Sequence, residues 1–345
     1  MILVLATACG GGESVGAKAS AKGAQESAAS KSKATNIALR TTTPQKATWT
    51  DREEKPHQLR VAPKSLMRGS VSDLDRVRLD DELKGMTPYY LTVSFSNTSK
   101  DALSQPDLAG QLSVVGTDGI RAKGVTLFSN ALATGSGLPK ECSRGNPGAL
   151  AAGGTAEVCT LVMLAKDQEP ATVSYSDDGS GTALWEVGGS RNGGAGDVLA
   201  MGKTADATVD DNHGHMLKIK VTPKTVREGN LEDLKDFKLS GDKDLVPYYV
   251  TIEYRNTGAY DLLPSMQDDV VLATAGGEQV RPLVMLAIGA KVEQCPDSEP
   301  HAMVKPNATV KQCSIHMLPK GDRPAIINYK GDDPDAKWLT WRATS

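Results

Sequence analysis

The sequence predicts an all-β chain: two tandem β-sandwich domains, each with one short-loop disulfide, after a disordered N-terminal tether. Three observations predict it. The 345 residues contain one internal repeat, the copies read as short strands separated by turn residues, and two cysteine pairs fall at matching places in the copies.

The repeat outranks local motifs in deciding a fold. Its first copy begins near Ala47-Thr48 and runs through Leu59-Arg60-Val61-Ala62-Pro63-Lys64; its second begins near Ala207-Thr208 and runs through Lys218-Ile219-Lys220-Val221-Thr222-Pro223-Lys224. Gly69 matches Gly229, Asp73-Leu74 matches Asp233-Leu234, and Leu79 matches Leu239. Pro88-Tyr89-Tyr90 through Asn97-Thr98 aligns with Pro247-Tyr248-Tyr249 through Asn256-Thr257. Each copy closes with a tyrosine strand, at Tyr175 and Tyr329, and a tryptophan strand, read at Trp185 and Trp338.

Tyr90–Phe95 and Tyr249–Tyr254 alternate apolar and polar residues, the period-2 pattern of a half-buried strand, and each stops at Asn-Thr. Leu112–Val115 and Val270–Ala273 are apolar runs followed by Asp118-Gly119 and Gly276-Gly277. Thr172–Tyr175 and Ala325–Tyr329 repeat the pattern before acidic, glycine-containing turns. Turn residues at intervals of about 8–12 suit a sandwich. The helical signals are brief, at Ser70–Arg76 and Asn230–Phe237, where Ser or Asn caps a turn ahead of Asp-Leu.

These signals divide the chain into a residual signal at 1–9, a tether at 10–45, sandwiches at 46–188 and 207–345, and a linker at 189–206. The tether is rich in Ala, Ser, Gly, Lys and Thr, without apolar periodicity, so it cannot bury enough surface to offset the entropy of ordering. The glycine-rich stretch 188–212 suggests two beads on a short string.

Composition excludes some functions. A net charge of −3 and 4% aromatics argue against nucleic acid, which needs a basic face or stacking platforms. No internal apolar run reaches the roughly 20 residues that span a bilayer. No G-x-S-x-G, P-loop, strand-linked G-x-G-x-x-G or H-E-x-x-H occurs, and no catalytic residue is named: the chain reads as a non-enzyme.

Of five cysteines, Cys142 and Cys159 form one pair, Cys295 and Cys313 the other, each enclosing a loop of about 16 residues worth about 3 kcal/mol of chain entropy. The loops are polar and rich in Gly and Pro, so a staple has something to hold. The odd cysteine follows Leu5-Ala6-Thr7-Ala8. That run resembles a bacterial lipobox, which implies a diacylglycerol thioether at Cys9, no other cofactor, and an exported protein lipid-anchored to the outer face of the cell membrane. The segment before Cys9 is short and lacks a basic region, so the coding start is expected further upstream.

The order of elements is a second resemblance. The P-Y-Y strand ending in Asn-Thr, the D-G or G-G hairpin and the late strand Val158–Ala165 make each copy similar to small immunoglobulin-like extracellular domains of secreted and lipid-anchored proteins. These come from actinobacteria and other Gram-positive bacteria and are grouped as being of unknown function. The resemblance implies a tandem immunoglobulin-like lipoprotein that carries out binding or structural work at the cell surface, on an unidentified protein or envelope ligand.

The alternative is an exported copper carrier. Four of five histidines lie in or just before the second copy, each near a methionine: His213, His215 and Met216; His301 and Met303; His316 and Met317. Imidazole and thioether ligands suit copper. On a strand, however, His316 and Met317 face opposite ways, and the first copy has Val162 opposite His316. The acidic turns at Asp177-Asp178, Asp268-Asp269 and Asp332-Asp333 lack calcium-loop spacing and read as solvated. The loops Leu127–Leu138 and Leu286–Ala290 differ between the copies and are candidates for recognition.

Overall fold

The computed structural model describes residues 35–75, 77, 79–125, 142, 145–177, 181–188, 198–211, 213–235, 237, 244–284, 292–296 and 303–343. Cys9, His301 and the loops 127–138 and 286–290 lie outside these residues.

In the first copy, β1 (Thr35–Ile37), β2 (Gln45–Thr50), β3 (Pro56–Arg68), β4 (Thr87–Asn97), β7 (Lys123–Gly124) and β9 (Thr155–Leu164) form one antiparallel sheet. Its main path runs β1-β3-β4-β9-β7, with β2 paired to the other half of β3. The opposing sheet is β6 (Leu112–Gly116), β10 (Pro170–Ser176) and β11 (Thr182–Glu186), ordered β11-β10-β6; the short β5 (Leu103–Ser104) and β8 (Ala149–Leu150) pair beside it. The second copy repeats this plan. Its sheet β12-β13-β14-β17 uses Ala205–Asp210, Met216–Glu228, Leu245–Asn256 and Thr309–Pro319. Its other sheet, β16-β15-β18-β19, uses Gln279–Val280, Val270–Thr274, Pro324–Tyr329 and Leu339–Arg342. Each copy is an immunoglobulin-like β-sandwich whose inner faces form a separate core, with Phe95 edge-on to Tyr175 in one and Tyr254 tilted on Tyr329 in the other.

The alternation read in β4 holds only from Leu91 onward, because Thr87–Leu91 is buried on both faces. A second small core covers the outer side of that sheet. Tyr90 packs there with Leu74, Leu83, Leu161 and the Cys142–Cys159 bridge, and Tyr249 with Leu234, Val292, Ile315 and the Cys295–Cys313 bridge. The bridges span Cα separations of 5.1 and 5.3 Å.

Several residues shared by the copies belong to this outer layer. Ser70 and Asn230 cap one-turn 3₁₀ helices at Val71–Leu74 and Leu231–Leu234, and Asp73 and Asp233 complete a reciprocal capping box. The Tyr249 hydroxyl donates to Asp233 Oδ2 (3.0 Å). A Cβ on Gly69 or Gly229 would overlap the ring of Tyr90 or Tyr249, so the matched glycines are spaces for matched tyrosines. Gly229→Ala is expected to cost about 1–3 kcal/mol by overpacking, read as a lower urea midpoint at unchanged slope. An unchanged midpoint would show that the ring moves aside freely.

The Asn-Thr motif is more than a turn. Asn256 is fully buried; its Nδ2 donates to Tyr260 O and Val304 O (both 2.8 Å), and its Oδ1 accepts from Gly258 N (2.9 Å). Asn97 does the same work toward Asp101 O, Leu150 O and Ser99 N. Each asparagine ties the end of the central strand to two loops.

Four sequence assignments change. The tether ends earlier than residue 45, since Thr35–Ile37 pairs with Leu66–Arg68 and Leu39 bridges Val187. The linker's last residues are structural: Val198 is buried, Leu199 bridges Trp341, and β12 starts at Ala205 rather than 207. The partner of Trp185 is Trp341, not Trp338. Trp185 pairs with Val173 and Trp341 with Ile327, and their indoles donate to Thr43 O and Lys203 O, whereas Trp338 is 39% exposed.

The beads-on-a-string picture is the fourth. Lys33–Ser345 forms one compact unit, in which the small sheets of the two copies pack against each other. Ala171, Ala273, Ala275, Ala325 and Ile326 fill the seam with Val198. Small residues let the sheets approach closely, and hydrogen bonds cross the seam. Ser174 Oγ donates to Ala275 O (2.6 Å), its counterpart Asn328 donates to Asp118 O (2.7 Å), and Thr340 Oγ1 donates to Thr117 O (2.7 Å). The hairpin glycines serve this contact as well as their turns. Both have positive φ, and a side chain on Gly119 would strike Asn328 and Ala273, one on Gly277 Arg121.

Candidate functional site

The seam is roughly two-fold symmetric in its elements, and its ion pair joins equivalent positions. Glu186 and Arg342 each follow the core tryptophan of their copy. Arg342 is 3% exposed; its two terminal nitrogens donate to Val198 O (3.0 Å) and Val187 O (2.6 Å). Its Nε lies 3.0 Å from Glu186 Oε2, which also meets Arg40 Nε at 3.3 Å. One side chain therefore joins the last strand of the second copy to the closing strand of the first and to both described ends of the connection.

Beside this seam opens a cleft of about 730 Å³ with walls from both copies. Lys46 on β2 and Thr182 on β11 stand on one side. The turn Lys320–Arg323 between β17 and β18 forms the other, over apolar surface from Val226, Val246 and Pro324. Thr182 Oγ1 donates to Gly321 O (3.0 Å) and Arg323 donates to Thr182 O (3.4 Å), so the turn is fastened to the opposite copy. Glu228 accepts from the Tyr248 hydroxyl (3.2 Å). Burial first, then the Glu228 charge, pushes that phenol up to about 12, so it stays protonated near neutrality. The lining offers cations, a hydroxyl and an apolar floor, the composition of a binding site.

Among the described residues, the His316–Met317 segment does not meet the His213–Met216 segment. Met216 opens the 13-residue β13 and Glu228 ends it; Glu228 pairs with Tyr248, which pairs with His316. His316 thus lies roughly 40 Å along the sheet from Met216. His215 stacks on Tyr260 (ring centroids 4.1 Å apart) and shares a 2.7 Å contact with Asp211, while Met303 adjoins Val304, which bridges Leu262 nearby. His213 only donates its backbone N–H to Asp211.

Both nitrogens of His316 are engaged. Nδ1 meets Val280 O at 3.0 Å; a carbonyl only accepts, so Nδ1 carries the proton and Nε2 accepts from Ser314 Oγ (3.0 Å). Met317 faces the opposite side, in the small core beside Cys313. His316 and Met317 therefore lie apart from the His213–Met216 segment and face opposite ways, and His301 lies outside the described residues. Among the described residues no group of three His, Cys, Asp or Glu could hold a metal ion.

Of the acidic turns expected to be solvated, the one at Asp177 is not: Asp177 is buried and accepts from the Thr50 hydroxyl (2.7 Å). Burial, then Asp332 and Asp268, raises the Asp269 carboxyl to about 6. Each copy also has a hairpin aspartate with an imidazole. Asp51 Oδ1 accepts from Glu53 N and Lys55 N while Oδ2 contacts His57 Nε2 (2.9 Å); Asp211 repeats this with His213, His215 and the His215 ring. Repetition on matched hairpins marks these as turn caps. The cleft itself was missed by sequence reading, because its residues are far apart in the chain and meet only through the seam.

No protein-family model matches the chain, and no curated protein sequence matches it significantly. Two solved structures are similar to it. A secreted protein of Mycobacterium tuberculosis, MPT63, is 11% identical, with 40% of this chain and 92% of that one covered and a TM-score of 0.27. An uncharacterized β-sandwich protein of Clostridium difficile 630 is 12% identical, with 42% and 93% covered and the same TM-score. Likeness at that level is too slight to carry function from either to this chain. Among the described residues, no helix is long and apolar enough to cross a membrane.

Proposed function

We propose that this chain is an exported, non-catalytic envelope lipoprotein whose two sandwiches act as one binding body, with the inter-copy cleft as its recognition site. The observation that carries the reading is that cleft: its walls come from both copies and are fastened by hydrogen bonds from Thr182 and Arg323. Ligand sites favour such junctions, where two rigid elements define a concavity that neither has alone. Two disulfides support export, since such bonds persist in oxidising compartments. The Leu5–Cys9 run supports a lipid anchor at Cys9.

Cys9→Ser, expressed behind a complete signal segment, is expected to move the protein from the membrane fraction to the soluble exported fraction. Retention on the membrane would remove the anchor from this reading and leave the binding body.

A further inference from the structure

We infer that the inter-copy cleft takes an anionic ligand, a phosphate or carboxylate group carried on a small apolar body. The inference rests on the cleft being the recognition site and adds the class of ligand. Three cations from two copies line it: Lys46 from β2, and Lys320 and Arg323 from the β17–β18 turn. None has an ion-pair partner among the described residues, whereas Lys55, Lys123, Lys220 and Lys224 elsewhere are each paired with a carboxylate. Of the two acids in the lining, Glu228 is taken up by the Tyr248 hydroxyl, and Asp322 accepts the Arg323 backbone N–H (2.7 Å) within its own turn.

The difference between the copies points the same way. Leu164 and Leu318 occupy equivalent places, as do Pro170 and Pro324, so the two turns align residue by residue. Lys166 matches Lys320, but Asp167 and Glu169 of the first copy stand where the second has Gly321 and Arg323. One turn has two acids and one cation. The other, which walls the cleft, has one acid and two cations. The apolar floor of Val226, Val246 and Pro324 gives an attached ring or alkyl group a surface to cover. An anion held between exposed cations binds through a screened field, so affinity falls with salt.

The test uses the folded chain and three probes: phenyl phosphate, inorganic phosphate and benzyltrimethylammonium, followed by backbone amide NMR. Phenyl phosphate is expected to give saturable shifts at Gly181, Thr182 and Gly321, to weaken with added salt, and to bind better than inorganic phosphate. In the double variant Lys320→Gln/Arg323→Gln its binding is expected to fall about tenfold. Lys224→Gln, at a paired surface lysine, is expected to leave binding unchanged. These replacements are at exposed positions, and an unchanged amide spectrum without probe verifies the fold. Absence of saturable shifts overturns the proposal, as does equal binding by the double variant. If the cationic probe shifts the same amides equally well, the cleft remains a binding site and the anionic ligand class falls. If inorganic phosphate binds as tightly as phenyl phosphate, the apolar body falls.

Discussion

Arg342→Ala is expected to lower the unfolding free energy by about 2–6 kcal/mol, because two buried carbonyls of the seam lose their donors. The change leaves Val187 O and Val198 O without their donors inside the seam, while Glu186 keeps Arg40 at the surface. Much of the loss therefore comes from the two buried carbonyls rather than from the ion pair itself. Because the clamp spans both copies, the cooperativity of unfolding changes too. The native chain is expected to give one urea transition, coincident by tryptophan fluorescence and far-ultraviolet circular dichroism. Arg342→Ala is expected to give a broader or split transition as the copies uncouple. A single transition at the native midpoint would show that the alanine-lined seam holds the copies together without the arginine.

Acid weakens the fold through His316. Its side chain is fully buried, and burial lowers its pKa to about 4 from an ordinary 6.5, against a smaller opposite effect of the Val280 carbonyl. The unfolded chain therefore takes up this proton first as pH falls. The contribution is whole above about pH 6.5, is lost progressively down to about pH 4, and is constant below that. The shift corresponds to at most about 3 kcal/mol. Asp269 works in the opposite sense, since its raised carboxyl destabilises the fold as pH rises from about 4 through 6. Comparison with His316→Val, the residue at the equivalent place in the first copy, isolates the histidine. Urea midpoints measured between pH 7.5 and 4 should fall less steeply in the variant. Equal slopes would mean that His316 becomes protonated without unfolding.

Much of the fold was legible because it is periodic or repeated. The strands at Leu112–Val115, Thr172–Tyr175 and Ala325–Tyr329 lie within β6, β10 and β18, and the two capped turns are present. Trp338 misled because it is nearer in spacing to the end of the tyrosine strand, while the position facing Ile327, the counterpart of Val173, belongs to Trp341. The place of His316 relative to Met216 was hidden for a related reason: adjacency of His to Met along a strand says nothing about which end of a sheet a residue reaches. Thr35–Ile37 was hidden in a tail of low hydrophobicity, since it is a three-residue edge strand paired to its neighbour's backbone, with only Ile37 of the three packed on the core.

By itself the sequence determined the architecture of one copy and the fact of its duplication. Strand alternation, turn chemistry and paired cysteines are local properties, and the repeat states them twice. Only the tertiary structure decided what duplication made. Alanines and glycines at the seam have no pattern that announces an interface, because their role is to leave space for another sheet. Arg342 looks like an ordinary end-of-strand charge until the copies meet, take it out of water and set it against Glu186. The cleft follows from that meeting, since Lys46 and Arg323 share a site only after two sheets dock face to face.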